Sequence, residues 1–199
     1  LTMQIQSCRT VNIMKKILIT FVAIFSLFFC STVFADDTNT IVSETMTAQQ
    51  LVNQYATDYD ITLEQASDLL GINLYERSSQ TYRTISTQIT VTNSYKPSIS
   101  FYCETTEYGT YHGIIRVLRT EINRNYNGMS KQFSGSLYVN LEQADRIFYI
   151  INGDFFNNGS STLSGGLNIG IGESASVNFG GSYVSNHYKY VYHEGRVHF

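Results

Sequence analysis

From about Tyr82 to the end of the chain, apolar and polar residues alternate with a period of two. A segment patterned in this way buries one side only as a β-strand, because a helix would scatter the same side chains around its axis. Ile85, Ile89 and Val91 share one parity, and Thr84, Ser86, Gln88 and Thr90 share the other. Pro97 interrupts the run, after which Ile99, Phe101 and Cys103 fall on one face. Asn127-Gly128 predicts a type I′ turn and a hairpin pairing 126 with 129, 122 with 133 and 118 with 137. That register places Leu118, Ile122, Tyr126, Met129, Phe133 and Leu137 together. A slip of one residue would reverse every side chain, so such a register is strongly specified.

Arg146 to Ile151 is apolar on both faces, as in a central strand. Leu163 to Phe179 alternates almost without error, with Leu163, Leu167, Ile169, Ile171, Ala175, Val177 and Phe179 on odd positions. This pattern predicts two sandwich strands. A membrane-inserting hairpin has the same pattern and is the alternative. A closing hairpin about Glu194-Gly195 is expected to turn Tyr188, Tyr190, Tyr192, Val197 and Phe199 inward and His187, Lys189, His193, Arg196 and His198 outward. Roughly eight or nine strands separated by turn signals predict a mainly β fold, an antiparallel β-sandwich with an open barrel as second choice. Fifteen Tyr, twelve Phe, one Pro and no Trp suit such a domain.

Ahead of the strands the period is helical. Thr47 with Gln50 and Thr62 with Gln65 are capping-box pairs, and Gly71 suits the residue that ends a helix. Between them Leu51, Val52, Tyr55, Leu69 and Leu70 make an apolar stripe. These signals predict an N-terminal αα-hairpin over 47–76 that is separable from a sandwich over 77–199, with the polar run Glu76 to Gln80 as linker.

The first 35 residues read as an upstream extension followed by a secretory leader. Lys15 and Lys16 form the basic start, Ile17 to Phe29 the apolar stretch, and Val33 and Ala35 the small residues before cleavage. The mature chain is expected to begin at Asp36, with a flexible lead over 36–46. An uncleaved membrane anchor is the minority alternative.

From Asp36 onward there are sixteen acidic and ten basic residues, a formal charge of −6. Eight of the acids precede Arg77, where no Lys or Arg occurs. Nucleic acid requires a basic face, so it is excluded as a partner. Cys103 is the lone cysteine beyond the leader and has no internal partner for a disulfide. Its parity with Ile99 and Phe101 points it into the core, which argues against a thiol nucleophile served by His112.

The best site candidate is the set His187, Lys189, His193, Arg196 and His198, which holds three of the four histidines. Six residues of strand separate His187 from His193 by roughly 20 Å, so these two cannot share a metal. No metal or cofactor is called for, and no catalytic set is found. The expected partner is an anionic cell-wall polymer, a glycan or a protein.

The leader together with the closing segment His187-Tyr188-Lys189-Tyr190-Val191-Tyr192 is similar in style to small secreted β-sandwich proteins of Gram-positive bacteria that have no assigned function. The resemblance implies export and a sandwich, and no site residues. The expectation is therefore a secreted, non-catalytic binding or interaction module at the cell surface or in the medium. A membrane-active toxin or bacteriocin-like effector is the alternative, and a secreted hydrolase the second alternative.

Overall fold

The computed structural model describes residues 39–75, 80–159, 161–164, 167–181 and 185–199. The expected leader, its cleavage site and most of the expected linker lie outside them.

Two helices open the described chain after a short strand β1 (Ile41–Val42): α1 (Ala48–Tyr59) and α2 (Leu63–Leu70). Both begin with the predicted capping boxes. The Gln50 amide N–H donates to Thr47 Oγ1 at 3.3 Å, and the Thr47 N–H donates to Gln50 Oε1 at 2.8 Å. Thr62 and Gln65 repeat the exchange at 3.2 and 3.0 Å. Each box satisfies amides that a helix start leaves without partners. Asp60 and Gly71 end the helices in the left-handed region.

The strands β2 (Thr81–Gln88), β3 (Ser98–Tyr108), β4 (Tyr111–Asn123) and β10 (Ile169–Gly170) join β1 in one antiparallel sheet, ordered β1-β2-β3-β4-β10. A second sheet holds β12 (Ser185–His198), β8 (Arg146–Asn158), β7 (Gln132–Gln143), β11 (Ser174–Gly181) and β9 (Ser161–Ser164), in that order. The sheets do not close into a barrel. The fold is a sandwich, and its main core lies between the sheets. Ile85, Ile99, Phe101, Cys103 and Val117 come from the first sheet, and Phe133, Leu137, Tyr149, Ile151 and Phe155 from the second. Gly135 and Gly153 sit opposite each other in β7 and β8. A Cβ on Gly135 would lie 2.3 Å from the Asn152 carbonyl oxygen and 2.9 Å from the Phe133 ring, so only glycine admits this approach.

The Asn127-Gly128 turn forms, with positive φ at both residues and Tyr126 opposite Met129. The longer hairpin does not. Beyond the two-residue strands β5 (Asn125–Tyr126) and β6 (Met129–Ser130) the chains diverge, with β4 pairing β3 and β7 pairing β8. The pairs 122 with 133 and 118 with 137 are therefore corrected: the turn carries the chain from one sheet to the other. Ile122, Phe133 and Leu137 still share a core because they face one another across the sandwich. Leu118 leaves it. Tyr102 pairs with Arg119 but Cys103 pairs with Val117, so Leu118 is the extra residue of a bulge. It packs towards the helices instead.

The segment from Leu163 to Phe179 makes pieces of three strands rather than two. β9 pairs with β11, whereas β10 crosses to β4 in the first sheet. Ile169, Val177 and Phe179 are core residues. Ile171 is exposed, because Gly172 at φ +80° turns the chain there.

The helical hairpin is docked. Leu51, Val52, Tyr55, Ala66 and Leu70 form a second core with Tyr82, Tyr102 and Leu118 on the outer face of the first sheet. No helix among the described residues is long and apolar enough to cross a membrane.

Candidate binding face

The two outer faces of the sandwich differ. The helices cover the first around Tyr82, Tyr102 and Leu118. Beneath them Arg119 Nε donates to Glu121 Oε1 at 2.8 Å and to the Tyr55 hydroxyl at 2.6 Å, and that hydroxyl donates to Glu121 at 2.7 Å. Burial, then the Glu121 charge, hold the Tyr55 phenol well above its ordinary range. It stays a protonated donor. The three groups satisfy one another and present no open position to a reactant.

The second outer face carries the even-numbered residues of β12 from Tyr190 onward. This follows from a correction to the closing segment. Glu194 pairs with Ile150 and Gly195 with Tyr149, so β12 runs straight through the expected turn. In an unbroken strand Val197 shares parity with Val191, and both are buried. The odd row therefore faces inward. Tyr190 and Tyr192, expected in the core, are 52 % and 56 % exposed.

The five candidate residues are accordingly divided. His193 lies on the inward row, half-buried, with Nε2 3.1 Å from the Tyr149 hydroxyl. Lys189 is exposed and pairs with Phe155, just after a bulge at Tyr188. Tyr188 packs against the core and its hydroxyl lies 3.0 Å from that of Thr92. His187, Arg196 and His198 reach the outer face, but at opposite ends of the strand. His187 contacts Asp154 at 2.8 Å and stacks edge-on against Phe156. Arg196 sits over the Phe148 ring at 4.9 Å and reaches Glu142 at 3.1 Å. His198 is exposed opposite Arg146. A single basic face of five residues is not formed.

The register instead assembles a tyrosine and amide surface. Tyr192 aligns with Asn152, Ser136 and Asn178 across four strands. The neighbouring rows run Tyr190, Asp154, Ser134 and Glu194, Ile150, Tyr138, Ser176. The Tyr190 hydroxyl donates to Asn152 Oδ1 at 2.9 Å, and that of Tyr192 donates to Glu194 at 3.3 Å. Glu194, through its charge, raises the Tyr192 phenol above its usual range. Both rings are thus tethered by their oxygens while each residue stays more than half exposed. The signal for this surface was the shared parity of Val191 and Val197.

Other candidates resolve into structure. Cys103 is fully buried, and its thiol is pushed up by burial. His112 lies at the far end of β4, stacked on Phe199. Beside it Glu107 takes Arg83 Nε and Nη2 at 2.8 and 2.9 Å and the Thr45 hydroxyl at 2.9 Å, which clamps the lead segment to the sheet. Among the described residues no three His, Cys, Asp or Glu side chains converge to hold a metal. Comparison with family models, curated proteins and solved structures found no match.

Proposed function

We propose that this chain is a secreted, non-catalytic binding module whose working surface is the outer face of the β12-β8-β7-β11-β9 sheet. The observation that carries this reading is the contrast between the two outer faces. One carries the helices, packed over Tyr82, Tyr102 and Leu118 beside a polar cluster whose members bond to one another. The other keeps two more-than-half-exposed tyrosines beside amides and hydroxyls. Large aromatic rings held at a surface are the usual anchors of recognition. The leader and the resemblance to small secreted sandwich proteins of Gram-positive bacteria support export to the cell surface or the medium. The partner is a polymer or protein of that environment.

Membrane insertion by the 163–179 segment is not favoured, since Ile169, Val177 and Phe179 would have to abandon the core.

Binding of labelled protein to intact Gram-positive cells and isolated walls tests the reading. Tyr190→Ala and Tyr192→Ala should reduce binding, and Leu63→Ala, an exposed change on the helical side, should not. Equal binding by all four proteins would refute the face. N-terminal sequencing of protein from the medium should read from Asp36.

A further inference from the structure

We infer that the ligand of the outer face is an uncharged polysaccharide, stacked on Tyr190 and Tyr192 and hydrogen-bonded to the row Asn152, Ser136 and Asn178. This rests on the reading of that face as the binding surface and names what it binds.

Three observations converge. First, Tyr190 and Tyr192 stand two residues apart on one side of a straight strand, so their rings repeat at roughly 7 Å along it. Their hydroxyls are held by Asn152 and Glu194, which lowers the ordering cost of binding. The electron-rich face of such a ring attracts the polarised C–H edge of a sugar. Second, the row that Tyr192 heads is made of amides and a hydroxyl, Asn152, Ser136 and Asn178, each both donor and acceptor, which is what a ligand covered in hydroxyls needs. An apolar protein surface laid on the same row would bury those groups without matching partners.

Third, the fixed charges of this face do not add up to a basic patch, since Arg146 and Arg196 stand against Glu142, Asp154 and Glu194. Asp154 meets His187, and Glu142 meets both Arg146 and Arg196. Glu194 accepts from Tyr192. An anionic wall polymer would be drawn by an uncompensated basic patch, and the register does not build one there.

Affinity electrophoresis of the full protein through gels of soluble neutral glucan, xylan and glycol chitin, and of anionic polygalacturonate and teichoic acid, tests the inference. At least one neutral polymer should retard the protein, and retardation should persist at roughly 1 M salt, where charge attraction is screened. Tyr190→Ala and Tyr192→Ala should each weaken it about tenfold. Tyr190→Phe, which keeps the ring, should retain most of it. Thermal melts of each variant exclude unfolding as the cause. Retardation by anionic polymers alone, abolished by salt, overturns the inference, as does retardation unaffected by the alanine variants. If no neutral polymer retards the protein while Tyr190→Ala still lowers binding to cells, the ligand class is wrong and the face stands. If binding to cells is also unchanged, both fall.

Discussion

His193 Nε2 lies 3.1 Å from the hydroxyl of Tyr149, a side chain with no exposed surface in the middle of the sandwich core. The contact fixes which row of β12 faces inward. It reverses the stability ranking that simple alternation about a Glu194-Gly195 turn would give. His193→Ala removes a hydrogen bond and the ring packed against Tyr149, and should cost about 1–2 kcal/mol. Tyr190→Ala removes an exposed ring and should stay within about 0.5 kcal/mol of the parent. Urea unfolding of both variants decides it. A larger loss for Tyr190→Ala than for His193→Ala would mean that the row assignment is inverted.

The Arg119, Glu121 and Tyr55 cluster makes a different prediction. Both charged groups are nearly buried, under helices that the chain places there by its capping signals. Removing one partner strands the other charge, so Arg119→Met or Glu121→Leu should each cost about 3–5 kcal/mol. The double variant Arg119→Met with Glu121→Leu should recover part of that loss, since no uncompensated charge remains. Tyr55→Phe should cost about 1–2 kcal/mol. Additive losses in the double variant would show that the pair is not coupled. A chain without residues 39–75 would bare the cluster and the apolar surface of Tyr102 and Leu118, so it should unfold at lower urea or fail to accumulate.

Stability should fall at both ends of the pH scale, for separate reasons. The Arg83 hydrogen bond holds the Glu107 carboxyl below its usual range, and Arg196 does the same for Glu142. A depressed folded-state pKa adds stability above the ordinary carboxylate value of about 4.3, and that stability is lost as pH falls further. At the alkaline end burial pushes the Tyr95 phenol up to about 12. The unfolded chain then releases that proton first, so stability should decline as pH rises above roughly 10. Thermal melts from pH 3 to 11 test both limbs. Arg83→Met should flatten the acid limb, and an unchanged acid limb in that variant would remove Glu107 from the explanation.

Much of this architecture is legible in the residues. The capping pairs at Thr47 and Thr62 are local chemistry, and local chemistry reads directly from sequence. The parity of Ile99, Phe101 and Cys103 likewise places them in the core. What escapes is set at a distance. Asn127-Gly128 specifies a turn but not how far its strands stay paired, because Phe133 gains as much by facing Ile122 across the sandwich as beside it. Leu118 changes sides through a bulge that alternation cannot announce. Glu194-Gly195 has turn composition, yet β8 offers an unbroken ladder opposite it, and Gly195 remains extended. Once that turn is removed, Val197 joins Val191, the tyrosines move outward, and the candidate face changes from basic to aromatic.

Cys103 offers a probe of the whole sandwich. It is fully buried between the sheets, and its sulfhydryl makes a weak contact with the Phe101 carbonyl at 3.6 Å. Burial raises its pKa, so the folded state holds little thiolate. A reagent in solution reaches it only when the sheets separate. Labelling should therefore follow the population of the opened state, and not the motion of the chain ends. In the native protein a disulfide reagent should react far more slowly than in urea. His193→Ala, destabilising by about 1–2 kcal/mol, should speed native labelling roughly 5–30-fold. Tyr190→Ala should change the rate by no more than about twofold. Fast labelling of the parent protein, or a rate indifferent to His193→Ala, would show that the core can open near Cys103 without the sandwich coming apart.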